Sequence, residues 1–290
     1  MREAVVRYYT PLRYPGGKAS LGHYVRQIFV DNRILEGIYV EPYAGGAGIA
    51  MELLLTGYVR EVWLNDIDAR IHAFWQATLH ETEALIRLVE TTPLSVAEWR
   101  RQKAIYLNPT KHDILSVGFA ALFLNRTNRS GILNGGVIGG FSQKGKWLID
   151  ARFNRSELAE RIRRVGHYRH RIRLSNEDAE IYLRHLTLPP KSLIYLDPPY
   201  FHRGQRMYPN HYDREDHARI AHLVQTELSY RWIVSYDDIP EIVKLYLGRR
   251  RIRYTLHYSA QIKRRGGELM IFCDALRLPK ASNPAQFRVN

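Results

Sequence analysis

The sequence predicts an α/β fold organised around a mostly parallel sheet, and two stretches carry this prediction. The first is an apolar segment, 37–40, that runs through the glycine-rich turn EPYAGGAG at 41–48 into a helical pattern at 49–55. A strand, a glycine turn and a helix open a nucleotide-binding βαβ unit. The second is the apolar segment 192–195, which ends at LDPPY, residues 196–200. Two prolines cannot continue a strand, so an acid and an aromatic ring stand on a stiff turn where open α/β sheets bind ligands.

The composition points to a polyanionic partner. Lys and Arg number 43 against 29 Asp and Glu, which gives a net charge of +14. Such a charge attracts nucleic acid, although a basic protein without that partner has the same composition. The only cysteine, Cys273, excludes a disulfide or a cysteine zinc site within one chain. The first residues lack the apolar core of a signal peptide and no apolar run spans a bilayer, so we expect a cytoplasmic protein without a membrane partner.

The first motif is RYPGGK at residues 13–18, ahead of a predicted helix at 20–29. Its two glycines let the backbone pass close to a ligand. Lys18 has the charge to meet a carboxylate or a phosphate. The glycine spacing excludes a Walker A loop, and on its own the motif is equally typical of a plain loop.

Acidic side chains stand where successive predicted strands end. Glu41 follows the first strand, and Asp66 and Asp178 follow two others. Asp66 has the position of a ribose-hydroxyl acceptor. Glu41 favours a ligand with a positive charge over a pyrophosphate, and Asp178 offers an acceptor to an aminopurine. Helix capping is the alternative for Asp178, and for either Asp66 or Asp68.

From residue 72 to 165 the alternation of strands and helices stops. Helical patterns are predicted at 71–89, 94–106 and 113–123, followed by NRTNRSG at 125–131 and a glycine-rich, basic stretch. Glycine-rich loops allow a chain to approach another backbone. We therefore predict an insertion that contacts DNA, with a loop of solvated charges as the alternative. The candidate DNA contacts are Asn125, Arg126, Arg129, Lys144 and Lys146.

Basic side chains are dense again between residues 161 and 173, where six arginines and two histidines occur. Such a cluster fits contact with phosphates, which adds affinity without base discrimination. A solvated helix face has the same composition, so the pattern leaves both interpretations open.

The remaining elements continue the sheet. Further strands are predicted at 61–64, 172–174, 232–235, 254–258 and 269–272, the last two as an antiparallel pair, and helices at 179–185 and 214–228. The stretch 201–212 has no periodicity, and we expect it to fold over the site as a lid.

Five short motifs follow one another in an order found in one enzyme family. They are YPGGK at 14–18, EPYAGG at 41–46, Asn65-Asp66, Asn125-Arg126 and DPPY at 197–200. The set resembles the Dam-like (alpha-group) DNA adenine methyltransferases. DPPY alone is moderately specific, whereas the ordered set is highly specific and extends over most of the chain.

This resemblance implies an α/β fold with the Rossmann-like sheet of S-adenosylmethionine-dependent methyltransferases. That sheet has seven strands, which are parallel except for one late strand. The implied fold also contains a mostly helical inserted target-recognition domain. The catalytic domain would comprise residues 1–71 and 166–290, and the insertion residues 72–165. S-adenosylmethionine is the implied cofactor and double-stranded DNA the implied partner, and no metal is required. A cognate restriction endonuclease and a solitary enzyme are both compatible with the motifs, which leave the oligomeric state open.

The resemblance also implies roles for single residues in cofactor binding. Tyr14 and Lys18 match family positions that contact the cofactor. Asp66 matches the ribose-binding acid, and Asp178 the acid that faces the cofactor adenine. Asp197 borders the cofactor and opens the catalytic motif.

The expected chemistry concerns a poor nucleophile, because the lone pair of the adenine amino nitrogen is delocalised into the ring. We expect the Asp197 carboxylate and the Pro198 carbonyl to accept its two hydrogens and Tyr200 to stack on the base. Orientation for in-line transfer is worth up to about 7–11 kcal/mol in favourable cases. An adenine in duplex DNA must first leave the base stack, as methyltransferase substrates do.

Two other functions share these features. An enzyme that methylates the cytosine amino group, or RNA, uses nearly the same chemistry, and the order of the motifs and the placement of the insertion favour adenine in DNA. A basic DNA-binding module with an inactive nucleotide fold is the second alternative. Against it, Lys18, Asp197 and Tyr200 are all present.

Overall fold

A central sheet with helices around it is seen in the computed structural model, which describes residues 9–13, 18–201, 212–256 and 266–288. Tyr14, residues 202–211 of the predicted lid over 201–212, and the connection 257–265 lie outside these residues. The strands are β1 (Gly37–Glu41), β2 (Val59–Asn65), β3 (Ile172–Ser175), β4 (Ser192–Leu196), β5 (Arg231–Asp237), β6 (Arg250–Leu256) and β7 (Gly266–Phe272). The helices are α1 (Gly22–Asp31), α2 (Gly48–Leu55), α3 (Ala69–His80), α4 (Thr82–Thr91), α5 (Val96–Leu107), α6 (Ile114–Thr127), α7 (Arg155–His167), α8 (Ala179–His185), α9 (Arg214–Thr226) and α10 (Pro240–Leu245).

The strand order of the sheet is β3-β2-β1-β4-β5-β7-β6. All neighbouring strands are parallel except that β7 runs antiparallel to both β5 and β6. This confirms the predicted seven-stranded sheet with one late reversed strand, a Rossmann-like methyltransferase fold. The strand order reverses between β1 and β4, and such a switch point leaves a crevice beyond the carboxyl ends of the strands.

The two central strands are buried along their whole length. The burial follows from their sequences, GIYVE in β1 and SLIYL in β4, because a parallel strand covered by helices on both faces is a continuous apolar run. Glu41 is the exception to the apolar character of β1, since it is a buried carboxylate at the end of the strand. Its burial places an acidic group at the crevice.

Five helices, α3 to α7, lie between β2 and β3 in the described chain. Helix α3 packs on α6, and α4 packs on α7. Side chains from these helices and from the sheet join in one hydrophobic core, and the division into two domains stays a prediction. None of the helices in the described segments has both the length and the apolar character needed to cross a membrane.

The predicted helix over 71–89 is two helices in the structure. It breaks at Glu81, whose φ of −125° is not helical. A Cβ on Gly166 of α7 would lie 2.6 Å from Thr82 Oγ1, so α7 crosses the chain at this break. The break depends on a helix 80 residues further along, which local periodicity does not reveal.

Helix α7 itself was not predicted, because its sequence is dominated by charges. Its buried face consists of Leu158, Ala159, Ile162, Val165 and Gly166. The basic cluster between 161 and 173 is dispersed over separate protein contacts. For example, Arg171 Nε donates to the Arg60 carbonyl at 2.6 Å, and the Arg173 guanidinium lies 4.3 Å from the ring centroid of Trp63.

We expect the contact between α3 and α6 to tolerate no side chain at Gly118. A Cβ there would lie 2.6 Å from the backbone oxygen of Ala73, which cannot move without shifting α3. Gly118→Ala should lower the free energy of unfolding by about 1–3 kcal/mol, although alanine is the better helix former. Denaturant unfolding measures this. The matched control is Gly136→Ala, because no atom of the described residues, apart from its chain neighbours, lies within 4 Å of the added Cβ; equal stability of the two variants would contradict the packing.

Candidate active site

A cavity of about 1260 Å³ opens at the carboxyl ends of β1 to β4. Sites for a single small ligand usually measure roughly 300–1,000 Å³, so this cavity has room for a cofactor and part of a second molecule. Acids from different strand ends meet here, as expected for parallel strands that share an edge. Of the predicted site residues, those on the cavity wall are Lys18, Glu41, Asp66, Arg126, Asp178 and Asp197.

The glycine turn after β1 is fastened to the ends of β2 and β3. Asn65 is fully buried and donates from its amide nitrogen to the carbonyls of Pro42, at 3.1 Å, and Glu177, at 2.9 Å. The Gly45 N–H donates to Asp66 Oδ2 at 2.8 Å. Gly45 has a φ of 45°, a value that glycine adopts without strain. The Asn-Asp pair therefore fixes the mutual position of three strand ends.

Asp66 and Asp68 have separate tasks. Asp68 caps α3 by accepting the Arg70 N–H at 3.0 Å, so the capping alternative applies to Asp68. Asp66 accepts backbone N–H groups from Gly45 and Asp68 instead. Burial, reinforced by the nearby Asp68 carboxylate, raises the pKa of Asp66 to about 7. Its oxygens have further lone pairs, and Asp66 is on the cavity wall.

Glu41 and Asp178 differ in their environment. Glu41 is buried, and desolvation raises its pKa to about 8. Asp178 caps α8 by accepting the Glu180 N–H at 2.9 Å and also lines the cavity. The capping interpretation of Asp178 is therefore confirmed, and it is compatible with a ligand contact.

The centre of the site is a buried cluster of charges. Lys18 Nζ lies 3.0 Å from Asp197 Oδ1 and 3.6 Å from Glu268 Oε2, and its side chain is only 4% exposed. Burial alone lowers the pKa of Lys18, but Asp197, Tyr200 and Glu268 outweigh burial and raise it well above its usual value. Burial raises the pKa of Asp197, whereas Lys18 opposes this shift. Lys18 was expected to meet a carboxylate or a phosphate, and the carboxylate that it meets in the structure is that of Asp197.

The DPPY turn presents its residues unequally. Asp197 and Pro199 are on the cavity wall, while Pro198 and the Tyr200 side chain are buried. The Tyr200 hydroxyl donates to Glu268 Oε1 at 3.0 Å and accepts from Lys18 Nζ at 3.4 Å. Because Tyr200 is 7% exposed, stacking on a base requires its ring to become more accessible.

Glu268 is the site residue that the sequence analysis missed. It lies on β7, which pairs with β5, and is 2% exposed. It contacts both Lys18 and Tyr200. The signal in the sequence was an acid directly before the apolar run LMIF, because a charged residue in a buried strand is rare unless it is paired.

Asn125 and Arg126 are not on the surface where DNA contacts were predicted. Asn125 is 1% exposed; its Oδ1 accepts the Arg13 N–H at 2.7 Å, and its Nδ2 donates to the carbonyls of Arg13 and Gly131. Arg126 Nε donates to the Pro11 carbonyl at 2.7 Å. Both side chains fasten residues 11–13 to α6, which corrects the predicted surface position of Asn125.

The glycine-rich stretch after α6 passes close to another backbone, as predicted. A Cβ on Gly131 would lie 2.2 Å from the Arg13 carbonyl oxygen. The other predicted DNA contacts, Arg129, Lys144 and Lys146, are exposed. We call residues 129–148 the basic loop. It also exposes two aromatic side chains, Phe141 and Trp147, each to 62%.

Residues 14–262 match the D12 class N6 adenine-specific DNA methyltransferase family. The chain belongs to this family. It methylates adenine in DNA, and its methyl donor is S-adenosylmethionine.

Individual relatives are more distant. The type II methyltransferase M.MjaIII of Methanocaldococcus jannaschii is 24% identical over 205 residues, which cover 65% of this chain and 68% of that protein. A solved structure of a putative class I S-adenosylmethionine-dependent methyltransferase from Listeria monocytogenes covers 91% of this chain and 63% of its own, at 12% identity and a TM-score of 0.36. The rRNA methyltransferase aviRa from Streptomyces viridochromogenes covers 87% and 84%, at 11% identity and a TM-score of 0.33. The fold assignment follows from the strand order and directions of the sheet.

The donor set of the cavity fits S-adenosylmethionine. This cofactor carries a sulfonium and an ammonium group, and buried carboxylates with raised pKa values are stabilised by a cationic ligand. Glu41 and Asp197 are such carboxylates. Asp66 has acceptor capacity for ribose hydroxyls. The sulfonium methyl group is the electrophile that the bound cofactor supplies.

Affinity for S-adenosylmethionine should rise between pH 6 and pH 8. Asp66, with a pKa of about 7, and Glu41, with a pKa of about 8, are ionised above these values, and the ionised forms attract the cation. Asp66→Asn should weaken binding about tenfold or more, through weaker hydrogen bonds, and remove the lower part of the pH dependence. Calorimetric titration across this range measures both effects.

The control for this variant is Asp274→Asn, an exposed carboxylate paired with Arg249. It should retain both the affinity and the pH profile of the unmodified protein. A pH-independent affinity in the unmodified protein would contradict the role given to the two buried carboxylates.

Proposed function

We propose that this cavity methylates an adenine turned out of double-stranded DNA, with Asp197 as the group that orients its amino nitrogen. The observation that supports this is the buried Lys18–Asp197 pair on the wall of a cavity large enough for a cofactor and a base. A base inside duplex DNA cannot reach a carboxylate at the bottom of such a crevice. Base flipping therefore belongs to the proposal.

The proposed cofactor position follows the acids of the strand ends. Asp66 binds the ribose hydroxyls, and Asp178 faces the cofactor adenine. Glu41 and Asp197 face the cationic end, where their charges are least solvated. Lys18 contributes from beside Asp197, and Tyr14 belongs to this set by its motif. This arrangement directs the methyl group towards Asp197.

In the proposed reaction, the amino nitrogen forms a bond to the methyl carbon while the carbon–sulfur bond breaks. The Asp197 carboxylate and the Pro198 carbonyl oxygen accept the two amino hydrogens, so that the nitrogen lone pair turns towards the methyl group. Lys18 keeps a positive charge beside Asp197, which favours an orienting acceptor over a strong base. The nitrogen then loses a proton to solvent after transfer.

Tyr200 is proposed to stack on the target base. Its hydroxyl is held by Glu268 at 3.0 Å, so the orientation of the ring is defined before DNA arrives. Stacking on an aromatic ring is worth about 1–3 kcal/mol per base in single-stranded nucleic acid complexes. For the base to bind in this way, the Tyr200 ring must become more exposed than it is in this structure.

The proposed DNA surface is the basic loop, 129–148, together with the helices of the insertion. Arg129, Lys144 and Lys146 add positive charge, and Phe141 and Trp147 add exposed aromatic area. Cations with aromatic rings are a combination that binds nucleic acid. We keep residues 72–165 as the proposed target-recognition domain and residues 1–71 and 166–290 as the catalytic domain.

A role beside a restriction endonuclease is a further part of the proposal. Its support is the printed name of the relative M.MjaIII, a type II methyltransferase. Action on cellular DNA is the support for a cytoplasmic location. Resistance of the methylated DNA to an endonuclease that cleaves the same sequence would test the partnership.

The reaction is tested with labelled S-adenosylmethionine and unmethylated genomic DNA, followed by digestion and identification of the methylated nucleoside. We expect N6-methyl-2′-deoxyadenosine, and sequencing the same DNA gives the target site. An oligonucleotide duplex with 2-aminopurine at the target then reports flipping as increased fluorescence. Transfer without this increase would contradict the flipped base.

Asp197→Asn should lower kcat about a hundredfold or more, the typical cost of removing an oriented polar contact from a transition state. The affinity for DNA should change little, because the residue lies inside the cavity. Single-turnover methylation and DNA binding measure the two quantities separately. Unchanged turnover would refute the assignment of Asp197.

Glu268→Gln tests the charge cluster behind Asp197. Glutamine still accepts a hydrogen bond from the Tyr200 hydroxyl, but it removes one of the two negative charges beside Lys18. Asp197 is then the only carboxylate that pairs with Lys18 in the cluster. A tighter Lys18–Asp197 pair hinders the contact of Asp197 with the amino group of the target adenine. We expect kcat to fall about tenfold, the size of one charge-assisted hydrogen bond, with KM for S-adenosylmethionine within twofold. Glu90→Gln, on the exposed side of α4, is the control. A fall in thermal stability with unchanged kcat would make Glu268 merely structural.

A further inference from the structure

One part of the cavity wall is rich in arginine. Arg13, Arg126, Arg152 and Arg161 line it, with Asp150 and Glu157 as the nearby acids. The wall at the strand ends has the opposite character, because it carries the carboxylates described above. The cavity therefore has an acidic part, suited to the cationic cofactor, and a basic part that the cofactor's cations do not need.

Arg126 is the buried member of this cluster. It is 9% exposed, and its Nε and Nη2 both donate to the Pro11 carbonyl. Its Nη1 makes no hydrogen bond to any described residue. Burial, together with the charges of Arg161, Arg13 and Arg152, lowers the pKa of Arg126 to about 9, and Glu157 partly opposes this shift. Like charges gathered at a cavity are stabilised when an anion binds between them.

The cluster is held in place before any ligand binds. Arg161 pairs with Glu157, one turn away on α7, and its Nη1 donates to the Thr10 carbonyl at 3.3 Å. Asn125 holds Arg13 through its backbone. Arg152, in contrast, is exposed and has no ion pair with a described residue. Arg126 and Arg161 are thus held through their side chains and Arg13 through its backbone, whereas the side chain of Arg152 is available to a ligand.

We propose that this arginine cluster binds an oxyanion, namely a backbone phosphate of the DNA strand next to the target adenosine. The inference rests on the proposed function, since a base inside the cavity brings its flanking phosphates to the cavity wall. Guanidinium groups match phosphate oxygens in bidentate geometry. A phosphate held there fixes the flipped nucleotide from its backbone side, while Asp197 orients the base.

Arg152→Ala tests this site with little risk to folding, because the side chain is exposed and without a described partner. We expect the Kd for duplex DNA to rise about tenfold. The slope of log K against log salt should fall in magnitude by about 0.9, the value for one phosphate contact. The Kd for S-adenosylmethionine should stay within twofold. Arg251→Ala, an exposed arginine on the edge strand β6, is the matched control and should leave all three values unchanged.

Neutral methylphosphonate linkages on either side of the target adenosine locate the phosphate. One position should weaken binding of the unmodified protein about tenfold and add little to the Arg152→Ala defect. Additive losses at both positions would overturn the inference. An Arg152→Ala protein that binds DNA like the control variant would also overturn it. An Arg152→Ala protein that loses affinity for the cofactor alone would overturn it too, and would assign the cluster to the carboxylate of the cofactor. Failure of the proposed function is distinct, because the unmodified protein would then form no N6-methyl-2′-deoxyadenosine in this DNA.

Discussion

The ion pair between Lys18 and Asp197 is the interaction on which the active site depends. The side chain of Lys18 is only 4% exposed and that of Asp197 is 29% exposed, and a charge pair so largely removed from water is stable only when further polar groups satisfy it. Glu268 and Tyr200 are those groups. The cluster connects a residue near the start of the chain with the DPPY turn and with β7. The same four side chains therefore take part in the proposed reaction, in the proposed binding of the cofactor and in contacts between distant parts of the sheet.

A second constraint links this centre to the helical insertion. Residues 11–13 are held by Asn125 and Arg126 from α6, and Lys18 follows a few positions later. The same contacts explain why two polar residues of the NRTNRSG stretch are buried. They orient the backbone beside the cavity, while the basic side chains Arg129, Lys144 and Lys146 of the basic loop are exposed.

Several features of this site could be predicted because they depend on short stretches of sequence. The acids Glu41, Asp66 and Asp178 were expected together, since the carboxyl ends of parallel strands share one edge. The choice between Asp66 and Asp68 as the cap of α3 could not be made in this way. Both acids precede the helix, and only the position of the glycine turn, 21 residues upstream, shows which of them accepts the Gly45 N–H.

The sequence by itself determined the class of fold, the strand ends at which the site lies and the family motifs. Those properties depend on local periodicity and on turn residues that act on their neighbours. Only the tertiary structure decided that Asn125 is buried, that Glu268 contacts Lys18 and Tyr200, and that four arginines share one cavity. Asn125 and Arg13 are 112 residues apart in the chain, and Lys18 and Tyr200 are 182 apart. Burial and charge pairing are set by such distant contacts, which no local pattern encodes.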